Sequence, residues 1–151
     1  DIKYEMVAGI RSSLSMADVD GMIAEMKEAL CPEVSAEEVG KDTYRIHTGY
    51  FFQDGDELYI VLRRGENGWV LTDNGHTVMW LSYEDFDLTE FHMSALTRTP
   101  PCSYARYDGG CIWVPIGETD AGGAIRSIVQ VILGAADLLY LNRRNARIMP
   151  S

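Results

Sequence analysis

The 151-residue chain carries 23 acidic against 13 basic side chains, a formal net charge of −10 and an isoelectric point near 4.6. Hydrophobic residues make up 46% and charged residues 24%, the composition of one globular domain (residues 1–151) whose core needs no staples. This balance argues against direct nucleic-acid binding, which relies on lysine and arginine, and no apolar run reaches the ~20 residues of a membrane span.

The longest apolar stretch, Ile125 to Leu141, is interrupted by Arg126, Gln130 and Asp137. No basic segment followed by an apolar one marks a secretory signal, so a cytoplasmic setting is expected. Cys31, Cys102 and Cys111 are odd in number and irregular in spacing, and no CxxC occurs. Reduced thiols fit this pattern, whereas a disulfide framework or a zinc site does not.

In chain order, Tyr4 to Leu14 reads as a short helix or an arm. The first amphipathic helix follows, with Met16, Val19, Ile23, Met26 and Leu30 at three–four spacing. Ser15 caps it, Asp18 suits its first turn, Gly21 weakens it and Pro32 ends it. Three strands are predicted at 43–52, 57–64 and 69–73, separated by turns at 54–56 and 65–68. Leu58, Ile60 and Leu62 alternate with Tyr59, Val61 and Arg63, which assigns them to opposite faces. One or two short helices follow Gly75, burying Val78, Leu81, Phe86, Phe91 and Leu96, and Pro100 and Pro101 end them. Residues 103–116 form a hairpin with Asp108, Gly109 and Gly110 at its tip, and Pro115 marks an edge or a strand end. The last helix runs from about Asp120, its N-cap, to Asn142. Its broad face contains Ile125, Ile128, Val129, Ile132, Leu133, Ala136, Leu139 and Tyr140. Arg143, Arg144 and Arg147 gather at its C-terminal end, where positive charge suits the helix dipole. The expected fold is α+β: a small, mainly antiparallel sheet of about five strands packed against amphipathic helices, with a long C-terminal helix.

Gly55-Asp56, then Leu71-Thr72-Asp73-Asn74-Gly75-His76-Thr77 followed by Leu81, and the closing run with Asp137-Leu138, form a recognisable series. Over residues 43–141 the chain resembles the prokaryotic family called domain of unknown function 1828. The resemblance implies the fold and a prokaryotic or phage origin; it implies no reaction and no cofactor.

The polar knot from Thr72 to Thr77 is read first as structure. Asp-Asn-Gly after a strand is a turn signal, Gly75 takes a positive φ, and Thr72 or Asp73 bonds backbone N–H groups at the start of the next helix. A chemical alternative is a metal-dependent enzyme, with Asp54, Asp56, Asp73 and His76 as oxygen and nitrogen ligands. The spacing of a calcium loop is absent, and Glu57 is not followed by the lysine a metal nuclease would use. No Walker loop, dinucleotide fingerprint or G-x-S-x-G elbow occurs, and Gly122-Gly123 reads as an entry turn.

Recognition remains. Asp18, Glu25 and Glu28 in the first helix, and Glu84, Asp85 and Asp87 after the sheet, would attract a partner with a basic surface if they shared a face. The leading expectation is a non-catalytic, acidic interaction module that binds another protein. It would serve a phage or mobile element as a regulator or inhibitor of a nucleic-acid-handling host factor. Trp80, Tyr83 or Trp113 would supply an anchor. A third class is a self-associating structural subunit with the last helix as its seam.

Overall fold

The computed structural model describes residues 18–148, with side chains described to residue 142. The expectations for Tyr4–Leu14, Ser15, Met16 and the side chains of Arg143, Arg144 and Arg147 lie outside the described residues. Helix α1 spans 18–29 and is followed by β1 (Ser35–Gly40), β2 (Thr43–His47), β3 (Val61–Gly65) and β4 (Gly68–Thr72). Two short helices come next, α2 (His76–Tyr83) and α3 (Glu90–Leu96). The hairpin of β5 (Arg106–Asp108) and β6 (Cys111–Pro115) precedes the long α4 (Ala121–Ile148).

The six strands form one antiparallel sheet in the order β1-β2-β3-β4-β6-β5. This confirms the α+β class and adds one strand. The addition is β1, whose residues are all exposed, so it carries no apolar alternation to read. The predicted 43–52 strand breaks after His47, where Gly49 turns to a positive φ of 79° and Thr48 Oγ1 accepts the N–H of Tyr50. The chain then closes an irregular hairpin: Leu58 donates to the Tyr50 carbonyl and Phe52 to the Asp56 carbonyl. The β5–β6 hairpin turns through Gly109 and Gly110, both at positive φ, the geometry a two-residue primed turn requires.

The register places Tyr44, Leu62, Leu71 and Val114 side by side on one face. Leu58, Ile60, Leu62, Leu71, Ile112 and Val114 are fully buried there. Helix α4 crosses this face with Ile125, Ile128, Val129 and Ile132 inward, and α2 and α3 pack onto it in turn. At roughly 1.5–3 kcal/mol for each buried aliphatic side chain, this layer is the main source of stability. By length and mean hydropathy (1.6) the segment Ala121–Asn142 could cross a membrane, but more than half of that window is buried inside the fold. Phe91 departs from expectation: it is 80% exposed, because Met93 and not Phe91 turns inward from α3.

Gly122 and Gly123 lie inside the first turn of α4, not before it. A β-carbon on Gly122 would lie 2.9 Å from the Cβ of Ala29 and 3.0 Å from the Glu25 carbonyl oxygen, so its missing side chain lets α1 touch α4. Gly21, on the exposed side of α1, has no atom within 4 Å of such a carbon. We therefore expect Gly122→Ala to destabilise by about 1–3 kcal/mol through overpacking. Gly21→Ala should stabilise by about 0.5–1 kcal/mol through helix propensity. Urea melts of the two variants read both signs.

Candidate functional site

The Asp73 side chain is fully buried. Its Oδ1 accepts the N–H of Gly75 at 2.9 Å and of Ile112 at 3.0 Å, and Oδ2 accepts the N–H of Thr77 at 3.3 Å. Its own N–H donates to the Ile112 carbonyl, and His76 donates to the Asp73 carbonyl. One residue thus joins β4, β6 and the first turn of α2, supplying an acceptor where a helix N-terminus has orphan donors. Thr72 Oγ1 accepts the Asn74 N–H. Gly75 stands at φ 79°, where a side chain would be strained. Both Asp73 carboxylate oxygens are engaged with backbone N–H groups.

Asp54 and Asp56 share a turn: the Asp56 N–H donates to Asp54 Oδ1 at 3.0 Å, and the Trp80 indole N–H donates to Asp54 Oδ2 at 2.8 Å. These two bonds, the Asp56 N–H first, hold the Asp54 carboxyl below its usual range. His76 stacks on Tyr59 at 3.8 Å between ring centroids. The four residues of the metal alternative do not converge, and among the described residues no group of three potential ligands assembles. The cysteines are free and half-buried, and burial pushes the Cys102 thiol up, away from the thiolate a nucleophile needs.

The acidic residues divide between two places. Glu25 Oε2 accepts the N–H of Ala121 at 2.8 Å and so caps the N-terminus of α4. Asp18 and Glu28 are exposed on the same helix, α1. Glu84 instead stands with Leu139 and Tyr140 near the other end of α4, followed by the exposed Asp85 and Asp87. From Ala121 to Leu139 the helix rises about 27 Å. The two acidic groups therefore do not form the single face the sequence suggested.

At that second end lies a hollow of about 260 Å³ lined by Gln53, Asp54, Trp80, Glu84, Leu139 and Tyr140. The Trp80 ring stacks on Phe52 at 4.2 Å, and Gln53 Nε2 donates to the Ala136 carbonyl. Exposed Tyr83 and Met79 stand on the same helix as Trp80, and Tyr140 and Leu141 on α4. Aromatic, apolar and acidic groups thus meet on a frame held by hydrogen bonds.

The open face of the sheet carries a network that the sequence did not disclose. His47 Nδ1 lies 2.8 Å from Glu57 Oε1, and its Nε2 lies 3.1 Å from Glu37 Oε1. Arg45 approaches Glu57 at 3.7 Å and lies over the Tyr59 ring at 4.7 Å. The residues come from β1, β2 and the segment before β3, so strand pairing, and not local spacing, assembles them. Hydrogen bonding to Glu57, then to Glu37, raises the His47 pKa from its ordinary value.

A family model described as Domain of unknown function DUF1828 matches residues 48–134, more than half of the chain. No curated protein and no solved structure matches.

Two outcomes follow from this geometry. Asp73→Ala should destabilise by about 3 kcal/mol or more, since three N–H groups lose their acceptor. Asp73→Asn, which retains one carbonyl acceptor, should cost less in the same denaturant melt. Because folding raises the His47 pKa, its stabilisation is complete below the unfolded value of about 6.5 and is lost as pH rises through the folded value. An NMR titration should place the His47 midpoint above that of an unfolded peptide, and Glu57→Gln should lower it.

Proposed function

The chain belongs to the family described as Domain of unknown function DUF1828, and we propose that it is a non-catalytic module that binds another protein through the acid-rimmed aromatic hollow beside α2 and α4. The observation that carries this reading is the meeting of Trp80, Leu139 and Tyr140 with Asp54 and Glu84 in one concavity. Tryptophan and tyrosine are over-represented among the residues that carry binding energy at protein interfaces. Trp80 is already oriented by Phe52 and Asp54, so less side-chain freedom is lost on binding. The Asp56 backbone N–H and the Trp80 indole N–H hold the Asp54 carboxyl below its usual range.

The partner that fits presents an apolar or aromatic side chain ringed by lysine or arginine. The net charge of −10 steers such a surface toward this chain and repels a bare polyanion. A nucleic-acid-handling protein of a host cell offers a basic surface of this kind, which suits a regulator or inhibitor carried by a phage or mobile element.

The test is capture from a lysate of the source organism, with wild type and the Tyr83→Ser/Tyr140→Ser double variant as baits. Both positions are exposed, so the fold should tolerate the change within about 0.5 kcal/mol each. The captured protein should fall at least about tenfold with the double variant and should decline with added salt. Capture that ignores both changes would exclude the hollow. A homodimer lost in the same variant would assign the face to self-association instead.

A further inference from the structure

A second surface lies at the opposite end of α4, where α1 faces the sheet edge. Strand β1 is the end of the sheet, and all six of its residues are exposed. An edge strand turns unpaired N–H and C=O groups outward, a template for another strand. Beside it runs a concavity of about 580 Å³ between α1 and the sheet. Val19, Ile23 and Ala24 of α1 form its apolar wall, and Ala36 and Tyr44 its floor. Pairing of Ala36 with Ile46 and of Glu38 with Tyr44 sets both β1 residues on the helix-covered face. Alternate side chains of an added strand would fall into this groove. We propose that an extended, basic peptide segment of a partner protein docks here as a seventh strand on β1, its alternate side chains entering beneath α1, apolar ones against Ile23 and Ala24 and a lysine or arginine beside Asp20 and Glu38.

Charge selects this occupant. Asp20 and Glu38 line the groove against Lys27, whereas Glu37, on the opposite face of β1, is already paired with His47. Burial and then the negative charges of Glu38, Asp42 and Asp20 push the Tyr44 phenol up, so their field meets at the groove floor. A cation brought by an incoming strand is favoured there. A second copy of the chain is a poor occupant, because β1 paired with β1 sets glutamates against glutamates, and like charges facing across strands destabilise. The ladder becomes irregular between Glu38 and Gly40. Regular pairing is therefore confined to Ser35–Glu38, and selectivity must come from side chains in the groove.

A random peptide display selection against the full chain tests this. Enriched peptides should carry apolar residues together with a lysine or arginine at alternate positions, the set that enters the groove. They should bind the Ala24→Arg variant, changed at an exposed helix position, at least about tenfold more weakly. N-methylation at alternate peptide positions should abolish binding in one of its two phases, and bound peptide should slow amide exchange in β1. The proposal fails if nothing is enriched, if enriched peptides ignore Ala24→Arg and N-methylation, or if they protect amides elsewhere. It also fails if β1 amides already exchange slowly in the free chain. A monomeric mass would then assign the edge to another segment of this chain, and a dimeric mass to a second copy.

Discussion

The fold depends on a carboxylate whose two oxygens are both committed to backbone N–H groups. Asp73 sits with no exposed surface between two strands and a helix, and its oxygens accept N–H groups from Gly75, Thr77 and Ile112. A buried carboxylate without hydrogen-bond partners would be prohibitive, and here each oxygen has at least one backbone donor. The arrangement has a geometric consequence. Because the same side chain bonds β6 and starts α2, the sheet and the helical layer cannot shift independently. Thr72 and Thr77, both buried, flank it, and Leu71 enters the core from the same strand. Every element of the Leu71–Thr77 series has a structural task.

That join sends all helices to one side of the sheet. The covered face becomes the core, and α4 runs between the sheet and α2 and α3 with aliphatic side chains in both directions. The other face is mixed: Val61, Val70 and Trp113 lie there in register with Arg45, Arg63 and Arg106. There His47, between Glu37 and Glu57, favours its charged form in a region where Arg45 and Tyr59 also meet. Those contacts tie the edge strand β1 to the chain that leads into β3, so the edge is fixed by charge where it has no apolar face to bury.

What was legible in the sequence had local periodicity. Leu58, Ile60 and Leu62 alternate and are buried, Gly109-Gly110 turns the last hairpin, and Asp120 caps α4 by accepting the Gly123 N–H. Asp-Asn-Gly announced its own turn. What was not legible depends on residues distant in the chain. Glu25 looked like a surface charge, yet it caps a helix 96 residues away. His47 and its two carboxylates lie ten residues apart in each direction and meet only through pairing of β1, β2 and the 57–60 segment. Phe91 was assigned inward from an apolar spacing that Met93 satisfies instead. Strand β1 is exposed on both faces, so no hydrophobic signal marks it.

The family match and the candidate surfaces occupy different parts of the chain, and this bears on where function resides. Residues 48–134 contain the knot, strands β3 to β6 and the buried half of α4. Leu139 and Tyr140, which close the aromatic hollow, lie beyond that span, and α1 and β1, which form the edge groove, lie before it. Within that span the Asp73 carboxylate and the Thr72 hydroxyl are engaged with backbone N–H groups. On this reasoning the Leu71–Thr77 series reports how the molecule is built, and the surfaces proposed for binding lie on the helix and strand ends around it.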